Sequence, residues 1–371
     1  MKENIKNVIV TVIFFTIIIG IFIISLFKSP TDISLAERRK LTQLPELSVK
    51  SVLDATFMSK FEKYTLDQFV GRDTFRKIKA FVMYNIFNQS DNNKIYIVDG
   101  QVTKYLNTLN ENEVKGAADK FNKLYDKFLS DTNVYYSIIP DKNYYIAEKN
   151  GYPHIDYEKF ESLLCDKMNS EMTYIDIFDV LSIDDYYTTD THWRQEKIGE
   201  IVNKLAEKMQ FKKDVNLIEN KLDNFYGVYY GQSALPIESE EMIYLTSDII
   251  NNATVYTLDE ETMTMKETEM YNKEDFDNTD PYDIFLGGAK PLIVIENNQA
   301  TTDKTLTIFR DSYGSSLAPL LTNGYKKITV VDLRYIATPL LNQFITFEEG
   351  QDVLIIKCVD VLNNSSILKV F

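Results

Sequence analysis

The strongest hydrophobic pattern in the chain is an almost unbroken apolar run from Asn7 to Phe27. Its length matches the roughly 20 residues that a helix needs to cross the hydrocarbon core of a bilayer. A signal peptide usually has a shorter apolar region and a small-residue cleavage site, which this run lacks. The pattern predicts an uncleaved membrane anchor over residues 1–28, with a cleaved signal sequence as the alternative. The polar residues 29–50 are predicted to form a juxtamembrane linker.

Four basic residues follow the apolar run, namely Lys28, Arg38, Arg39 and Lys40. Counted alone, these charges would favour a cytoplasmic location for the residues after the span. Long C-terminal domains are translocated largely regardless of such charges, so the body of the protein is predicted to lie outside the cytoplasm. We therefore expect a single-pass protein of the cell membrane with an extracytoplasmic domain.

Beyond the linker, short apolar segments typical of strands alternate with amphipathic segments typical of helices. The strand-like segments are 94–100, 133–140, 172–178, 291–296, 304–309, 326–333 and 352–357. The helical patterns are 52–88, 111–130, 157–169, 194–209 and 338–346, with one more helix starting near 313. This alternation predicts an α/β fold with a mostly parallel sheet and helices on both faces. We expect one domain over residues 51–371, with an irregular acidic insertion of loops and hairpins over about 223–290.

Composition argues against two classes of function. The net charge is −15 and no Lys/Arg-rich run is present, so nucleic-acid binding is not expected. Cys165 and Cys358 lie far apart and belong to no CxxC pair, so neither a zinc site nor a redox motif is expected. Two buried thiols are the favoured interpretation, and a single disulfide between them stays open.

A serine follows one of the predicted strands at a turn into a helix. Ser312 comes directly after the strand 304–309 and the residues Arg310 and Asp311. Ligand sites in open α/β sheets gather at the carboxyl ends of strands, and a helix N-terminus supplies N–H donors that stabilise a developing oxyanion. Ser312 is therefore a candidate nucleophile. The alternative is that Asp311 or Ser312 simply caps the helix.

A serine nucleophile needs a base, and the chain has only two histidines. His154 lies in a loop that contains Gly and Pro, which is typical of a solvated surface histidine. His192 comes two residues after Asp190, so the aspartate could orient the imidazole and stabilise its protonated form. The alternatives are an incidental cluster or half of a metal site. A metal site is disfavoured because no other histidine is near and both cysteines are remote.

Several short motifs occur together in this order: "AERRKLTQLPEL" after the apolar run, "FEKYTLDQFVGRD", "IIPDK", the overlapping "YYTTD" and "DTHW", which share Asp190, "FRDSYGSS" and "VVDLRY". With them the sequence resembles the DHHW family, which is related to the alginate O-acetylation proteins of the SGNH hydrolase-like superfamily. The resemblance extends from about residue 34 to the end of the chain. One departure is Arg310, where superfamily members often carry glycine.

This resemblance implies an SGNH-hydrolase-like, flavodoxin-like fold. It also implies a catalytic triad in which Asp190 and His192 precede Ser312, whereas ordinary SGNH hydrolases place the serine first. The related proteins O-acetylate secreted polysaccharides beside a membrane-bound O-acyltransferase that supplies acetyl groups. By resemblance we expect the same activity here, with a polysaccharide acceptor and with neither metal nor cofactor.

Other residues near the triad are candidates for binding. The N–H groups of Ser312 and Tyr313 could form an oxyanion hole, and Arg334 and Tyr335 follow a strand and could position substrate. Tyr187 and Trp193 could stack on sugar rings. For the two aromatics, core packing is the alternative; for Arg334 it is a structural ion pair. The side-chain candidates for an oxyanion hole are Asn297, Asn298 and Gln299, which follow a predicted strand.

Two other functions stay open at this point. The same triad would serve an esterase that removes acetyl groups, because water and a sugar hydroxyl are alternative acceptors for one acyl-enzyme. The chain could also be a non-catalytic scaffold of a polysaccharide export or modification complex. The distance between Ser312 and His192 distinguishes these functions, because both enzymes need the two side chains within hydrogen-bonding reach and a scaffold does not.

Overall fold

The computed structural model describes residues 2–213 and 216–371, and the chain forms two compact units. The first unit extends to Asn92 and includes Gly231–Pro236. The second unit comprises Asn93–Tyr230 and Ile237–Phe371. The boundaries predicted above for the anchor, the linker and the catalytic domain remain predictions.

Helices and strands are numbered along the chain. The α-helices are α1 (Lys2–Phe27), α2 (Val49–Leu53), α3 (Thr56–Asp67), α4 (Arg72–Phe81), α5 (Glu111–Leu124), α6 (Lys142–Ile146), α7 (Tyr157–Cys165), α8 (Gly199–Met209), α9 (Val228–Ser233), α10 (Asp248–Asn252), α11 (Tyr313–Leu317) and α12 (Val359–Leu362). The strands are β1 (Ile33–Ser34), β2 (Arg39–Lys40), β3 (Ile95–Val98), β4 (Gln101–Lys104), β5 (Asn133–Ile139), β6 (Thr173–Tyr174), β7 (Ile218–Phe225), β8 (Glu240–Thr246), β9 (Thr254–Asp259), β10 (Thr264–Thr268), β11 (Leu292–Glu296), β12 (Thr305–Phe309), β13 (Lys327–Val331) and β14 (Asp352–Cys358).

The first unit begins with α1, which contains the apolar segment Ile5–Ser25 of 21 residues with a mean hydropathy of 3.0. By length and composition this segment could cross a membrane, and a signal sequence would meet the same criteria. The predicted linker is partly ordered, because β1 pairs antiparallel with β2. Arg39 donates to the carboxylate of Asp67 at 2.9 Å, and this guanidinium holds the pKa of Asp67 well below its usual range.

The second unit is built on an eight-stranded sheet with the order β10-β9-β11-β13-β12-β14-β5-β6. From β13 to β6 all neighbouring strands are parallel, whereas β11, β9 and β10 pair antiparallel. The central strand β14 is buried along its whole length, as expected for a parallel strand with both faces covered. The α/β fold with a mostly parallel sheet is therefore confirmed.

The direction of β11 decides which side chains reach the candidate site. The parallel strands β12 and β14 end at the same edge of the sheet, where Ser312 follows β12 and Cys358 is the last residue of β14. Because β11 is antiparallel to β13, Glu296 at its end pairs with Lys327 at the start of β13. Asn297 therefore lies at the opposite edge, where its amide donates to the Thr322 carbonyl. The assignment of residues 297–299 to an oxyanion hole was wrong for this reason.

The structure differs from the sequence-based predictions in two segments. The segment 223–290 contains β8, β9 and β10, and β9 extends the central sheet next to β11. The pattern of β10 was hard to recognise because this strand lies at the edge of the sheet and most of its residues are polar and exposed. The helical pattern over 52–88 is divided into α2, α3, α4 and a π-helical turn, Val82–Ile86.

The two cysteines, Cys165 and Cys358, are free thiols, so the disulfide alternative is not realised. Burial raises the pKa of Cys165 to about 11, and that of Cys358 well above the usual thiol range. Within residues 2–213 and 216–371, no group of three His, Cys, Asp or Glu side chains is arranged to hold a metal ion.

Candidate active site

The segment from Tyr186 to Trp193 folds into a closed loop. These two residues form an antiparallel bridge, and the Tyr187 N–H donates to the His192 carbonyl at 3.0 Å. The Glu240 carboxylate accepts hydrogen bonds from the next two backbone N–H groups, those of Thr188 and Thr189, at 2.8 Å each. Bonding of these polar backbone groups holds the loop in one conformation.

The buried side chain of Lys142 is hydrogen-bonded to this loop. Lys142 Nζ donates to the carbonyls of Val102, Tyr187 and Thr188 at 2.6, 2.7 and 2.9 Å. The Asp190 carbonyl lies slightly farther away, at 3.3 Å. Complete burial lowers the pKa of Lys142 to about 7, and the carboxylates of Glu240 and Asp190 act in the opposite direction. Lys142 therefore connects the loop to β4, although sequence reasoning noted it only as part of "IIPDK".

Asp190 and His192 are hydrogen-bonded to each other. Asp190 is completely buried, and its Oδ1 lies 2.7 Å from His192 Nδ1 and accepts from the His192 backbone N–H at 3.1 Å. Its other oxygen, Oδ2, accepts from the Val228 N–H at 2.7 Å. A carboxylate only accepts hydrogen bonds, so Nδ1 carries the proton and Nε2 is left as the acceptor.

Ser312 lies at the other side of the imidazole. Its Oγ is 2.7 Å from His192 Nε2, the only ring nitrogen left to accept its proton. Ser312 stands at the N-terminus of α11, but its side chain makes no capping hydrogen bond. Capping is done by Asp311, whose Oδ1 accepts from the Tyr313 N–H at 3.1 Å. The capping alternative therefore applies to Asp311 and not to Ser312.

The turn before Ser312 is held from two directions. Asp311 Oδ2 accepts from the Cys358 N–H at 2.6 Å, which connects the turn to the end of β14. Arg310 is completely buried and donates to the Gly288 carbonyl at 2.8 Å. A Cβ on Gly314 would lie 2.4 Å from the Arg310 Cβ, so glycine is needed where this arginine packs. Arg310 thus has a structural role in place of the glycine expected at this position.

Tyr313 does not supply the N–H predicted for an oxyanion hole, because that N–H donates to Asp311. Its hydroxyl instead donates to the Thr191 carbonyl at 2.6 Å, within the loop that carries His192. The Ser312 N–H has no acceptor among the described residues. Of the two N–H groups predicted to form an oxyanion hole, that of Ser312 is therefore the one left to donate to an oxyanion.

Tyr187 and Trp193 are core residues. Both side chains are completely buried, so neither has a face open to a sugar ring. Tyr187 packs against Phe225 with 4.7 Å between ring centroids, and the Trp193 indole donates to Ser316 Oγ at 2.8 Å. Core packing, the alternative stated for these two aromatics, is therefore what the structure has.

Arg334 is engaged in an ion pair, the alternative stated for it. Its guanidinium bonds to the Asp332 carboxylate at 2.7 Å, and Asp332 also lies 3.4 Å from Arg310. This pairing raises the pKa of Arg334 against the effect of its burial. Tyr335 is 41% exposed and lies beside the Arg334 guanidinium, at 5.4 Å. A substrate role for these two residues remains a prediction.

Two residues at the site were missed by sequence reasoning. Tyr282 lies in a 3₁₀ turn, Pro281–Ile284, and its ring covers one face of the His192 imidazole. Gly227 approaches the loop so closely that a Cβ would lie 2.3 Å from the Thr189 carbonyl carbon. Both belong to the segment predicted to be irregular, where no periodic pattern marks them. The aspartate before Pro281 was the available signal, since it indicates a turn.

Comparison with known proteins identifies the fold. No family model matches the sequence, and no curated protein matches it. A DHHW family protein from Eubacterium siraeum DSM 15702 aligns with 75% of this chain and 94% of its own, at 20% identity and a TM-score of 0.61.

Bacillus cereus PatB1 aligns with 72% of this chain and 96% of its own, at 19% identity and a TM-score of 0.59. Its structure with a sulfonyl adduct gives 20% identity and the same TM-score, with 72% of this chain and 97% of that one covered. The predicted relationship to the DHHW family is thereby confirmed at the level of the fold: this chain has the fold of a DHHW family protein and of PatB1.

Proposed function

We propose that this protein is an extracytoplasmic O-acetyltransferase that modifies a secreted or cell-surface polysaccharide. One observation carries the proposal, namely the hydrogen-bonded series from Asp190 through His192 to Ser312, with 2.7 Å at both links. A nucleophile, a base and an orienting carboxylate in this geometry are the parts that acyl transfer requires. The fold shared with a DHHW family protein supports the same assignment.

In the first step, Ser312 Oγ would attack the carbonyl carbon of an acetyl ester while its proton passes to His192 Nε2. Asp190 stabilises the imidazolium that forms. The free N–H of Ser312 is a suitable donor to the oxyanion of the tetrahedral intermediate. When this intermediate collapses, the bond to the leaving group breaks, the leaving oxygen takes the proton from His192, and acetyl-Ser312 remains.

In the second step, a sugar hydroxyl would attack the acetyl-serine carbonyl and give its proton to His192 Nε2. Collapse of the second tetrahedral intermediate transfers the acetyl group to the sugar, and Ser312 Oγ regains the proton. Water in place of the sugar hydroxyl would turn the same enzyme into an esterase. The acceptor therefore decides between the two activities.

We further propose that α1 anchors the protein in the cell membrane. In this arrangement, a membrane-bound O-acyltransferase would supply the acetyl donor on the outer side. The apolar segment Ile5–Ser25 supports membrane insertion.

The test is turnover of a chromogenic acetyl ester with and without defined oligosaccharides. We expect acetylated oligosaccharide with the wild type, and losses of at least about 10³-fold in kcat for Ser312→Ala and His192→Ala. Full activity of both variants would disprove the assignment, and release of acetate without acetylated sugar would favour the esterase.

Two matched controls are available in the chain. Ser315→Ala removes a nearby buried hydroxyl that has no hydrogen-bond partner in the described structure, so activity should be retained. His154→Ala removes the other histidine, which lies in the loop before α7. Loss of activity in either control would indicate general damage to the fold.

A further inference from the structure

One face of α4 is apolar and exposed to solvent. Phe75, Ile78 and Phe81 are each more than half exposed, at 51%, 53% and 52%. At 100° per residue, a spacing of three keeps these side chains on one side of the helix. In the π-helical turn and the residue after it, Ile86 and Phe87 are 60% and 67% exposed. Five large apolar side chains within this short stretch therefore face water.

Packing within the first unit leaves this face largely exposed, although the Phe75 ring meets the Phe69 ring edge-on at 5.6 Å between centroids. The opposite side of α4 carries Ala80, which is completely buried, and Arg76. Arg76 donates to the Gly231 carbonyl at 2.8 Å and lies 3.3 Å from the Glu37 carboxylate. The inner side of α4 is thus already bonded, and an exposed apolar stripe of this size marks an interaction surface.

Positive charge surrounds the stripe. By the helical angle, Lys77 and Lys79 lie on its two sides, so their long side chains can extend to an anionic surface while the apolar residues are buried. The charge of the chain is also uneven. Residues 28–92, which follow the apolar run, contain 11 Lys and Arg against 8 Asp and Glu, whereas residues 93–371 contain 27 against 46. This part of an otherwise acidic protein is complementary to anionic headgroups.

The residues that follow α1 are hydrogen-bonded to Gln68, a few residues before α4. Lys28 Nζ donates to the Gln68 carbonyl at 3.4 Å, and the Thr31 N–H donates to Gln68 Oε1 at 2.9 Å. Gln68 caps the C-terminus of α3, and α4 begins at Arg72. If α1 spans the bilayer, these bonds keep α4 close to the membrane surface at which α1 emerges.

We propose that the apolar face of α4, together with Ile86 and Phe87, lies in the headgroup region of an anionic phospholipid bilayer. Amphipathic helices with basic flanks bind lipid in this way. The inference rests on the proposed insertion of α1 and not on acetyl transfer. Its consequence is that the protein contacts the membrane at two places.

The test uses the full-length protein in liposomes that contain phosphatidylglycerol and brominated phosphatidylcholine, which quenches tryptophan on contact. Ile78→Trp places a reporter on the stripe. Asp73→Trp is the matched control, because Asp73 lies about 140° around the same helix from Ile78. Trp193, the one native tryptophan, is completely buried and serves as an unquenched reference.

We expect brominated lipid to quench Ile78→Trp at least about twofold more than Asp73→Trp, and aqueous iodide to show the opposite preference. Phe81→Trp should behave as Ile78→Trp does. Quenching of Ile78→Trp by iodide alone would overturn the inference, because the stripe would face water. Quenching by neither agent would also overturn it, because another protein surface would cover the stripe.

Flotation of the same liposomes reports on α1 separately. Protein that does not float with the lipid would contradict both the anchor and the α4 inference. Acetyl-ester turnover in the same samples is an independent measurement, so failure of the proposed enzyme activity is distinguishable from failure of membrane contact.

Discussion

The phenol ring of Tyr282 lies parallel to the imidazole ring of His192, with 3.8 Å between ring centroids and 6° between planes. The Tyr282 hydroxyl donates to Ser316 Oγ at 2.7 Å, which fixes the far end of the phenol. Asp190 holds Nδ1 of the same imidazole. With one nitrogen bonded and one face covered, the ring keeps Nε2 directed at Ser312.

Tyr282→Leu should therefore lower kcat for ester turnover by about 10-fold, with a much smaller change in KM, because the ring would lose its orientation. Tyr282→Phe keeps the ring and loses one hydrogen bond, so it should retain most of kcat and cost about 1 kcal/mol of stability. Steady-state kinetics and denaturant unfolding measure the two effects. Equal loss of kcat in both variants would contradict a role for the ring.

Asp190→Asn tests the orienting carboxylate. An amide can donate to Nδ1, which favours the tautomer with the proton on Nε2, and this nitrogen then cannot accept the Ser312 proton. We expect kcat to fall by about 10³- to 10⁴-fold while the fold is retained. Asp184→Asn, at an exposed position of the same region, is the control and should leave kcat unchanged. Comparable kinetics of the two variants would remove Asp190 from the mechanism.

Gly227→Ala tests the close approach to the loop. The added Cβ would lie 2.4 Å from the Asp190 backbone nitrogen, so the loop or the glycine segment must move. We expect a loss of about 1–3 kcal/mol in unfolding free energy and a reduced kcat. Gly199→Ala is the matched control, since its Cβ would meet nothing within 4 Å. If both variants were as stable and active as the wild type, the loop would not be held as the structure has it.

The lowered pKa of Lys142 leads to a prediction about how the free energy of unfolding depends on pH. Its pKa is about 7 in the folded protein, below the ordinary value of lysine, so between about pH 7 and pH 10 the unfolded chain binds more protons. This lysine therefore makes stability rise with pH in that window, and Lys142→Met lacks the rise. Urea unfolding should show that the stability lost in Lys142→Met increases from pH 7 to pH 9.5. Lys149→Met, at an exposed lysine, should show no such trend, and a pH-independent loss in Lys142→Met would contradict the prediction.

Local sequence patterns predicted the parts of the site that lie close together in the chain. The spacing of Asp190 and His192 and the strand–turn–helix at Ser312 were visible because each depends on neighbouring residues. Their approach to within hydrogen-bonding distance depends on the strand order β12-β14-β5-β6, because Ser312 follows β12 and the loop that carries His192 is bonded to Lys142, which follows β5. The catalytic roles assigned to the three residues remain predictions.

Contacts between distant segments could not be predicted in the same way. Tyr282 and Gly227 reach His192 and Asp190 from a segment without periodicity, and only the folded chain brings them there. Complete burial of Trp193 depends on tertiary packing. From the sequence alone, a tryptophan beside a candidate base is equally consistent with core packing and with stacking on a sugar ring. The antiparallel direction of β11, which moves Asn297 to the other edge, has no local signature in an apolar strand.

The proposed mechanism requires a covalent acetyl-enzyme at Ser312. A sulfonyl fluoride reacts with a serine hydroxyl that a neighbouring base activates, so we expect it to block acetylation of Ser312. The most direct measurement is intact-mass and peptide mass spectrometry after brief incubation with an acetyl ester and acid quenching. The proposed mechanism predicts one added acetyl group on the peptide that contains Ser312, and none in Ser312→Ala or His192→Ala. An acetyl group on another residue, or equal labelling of Ser312→Ala, would contradict it.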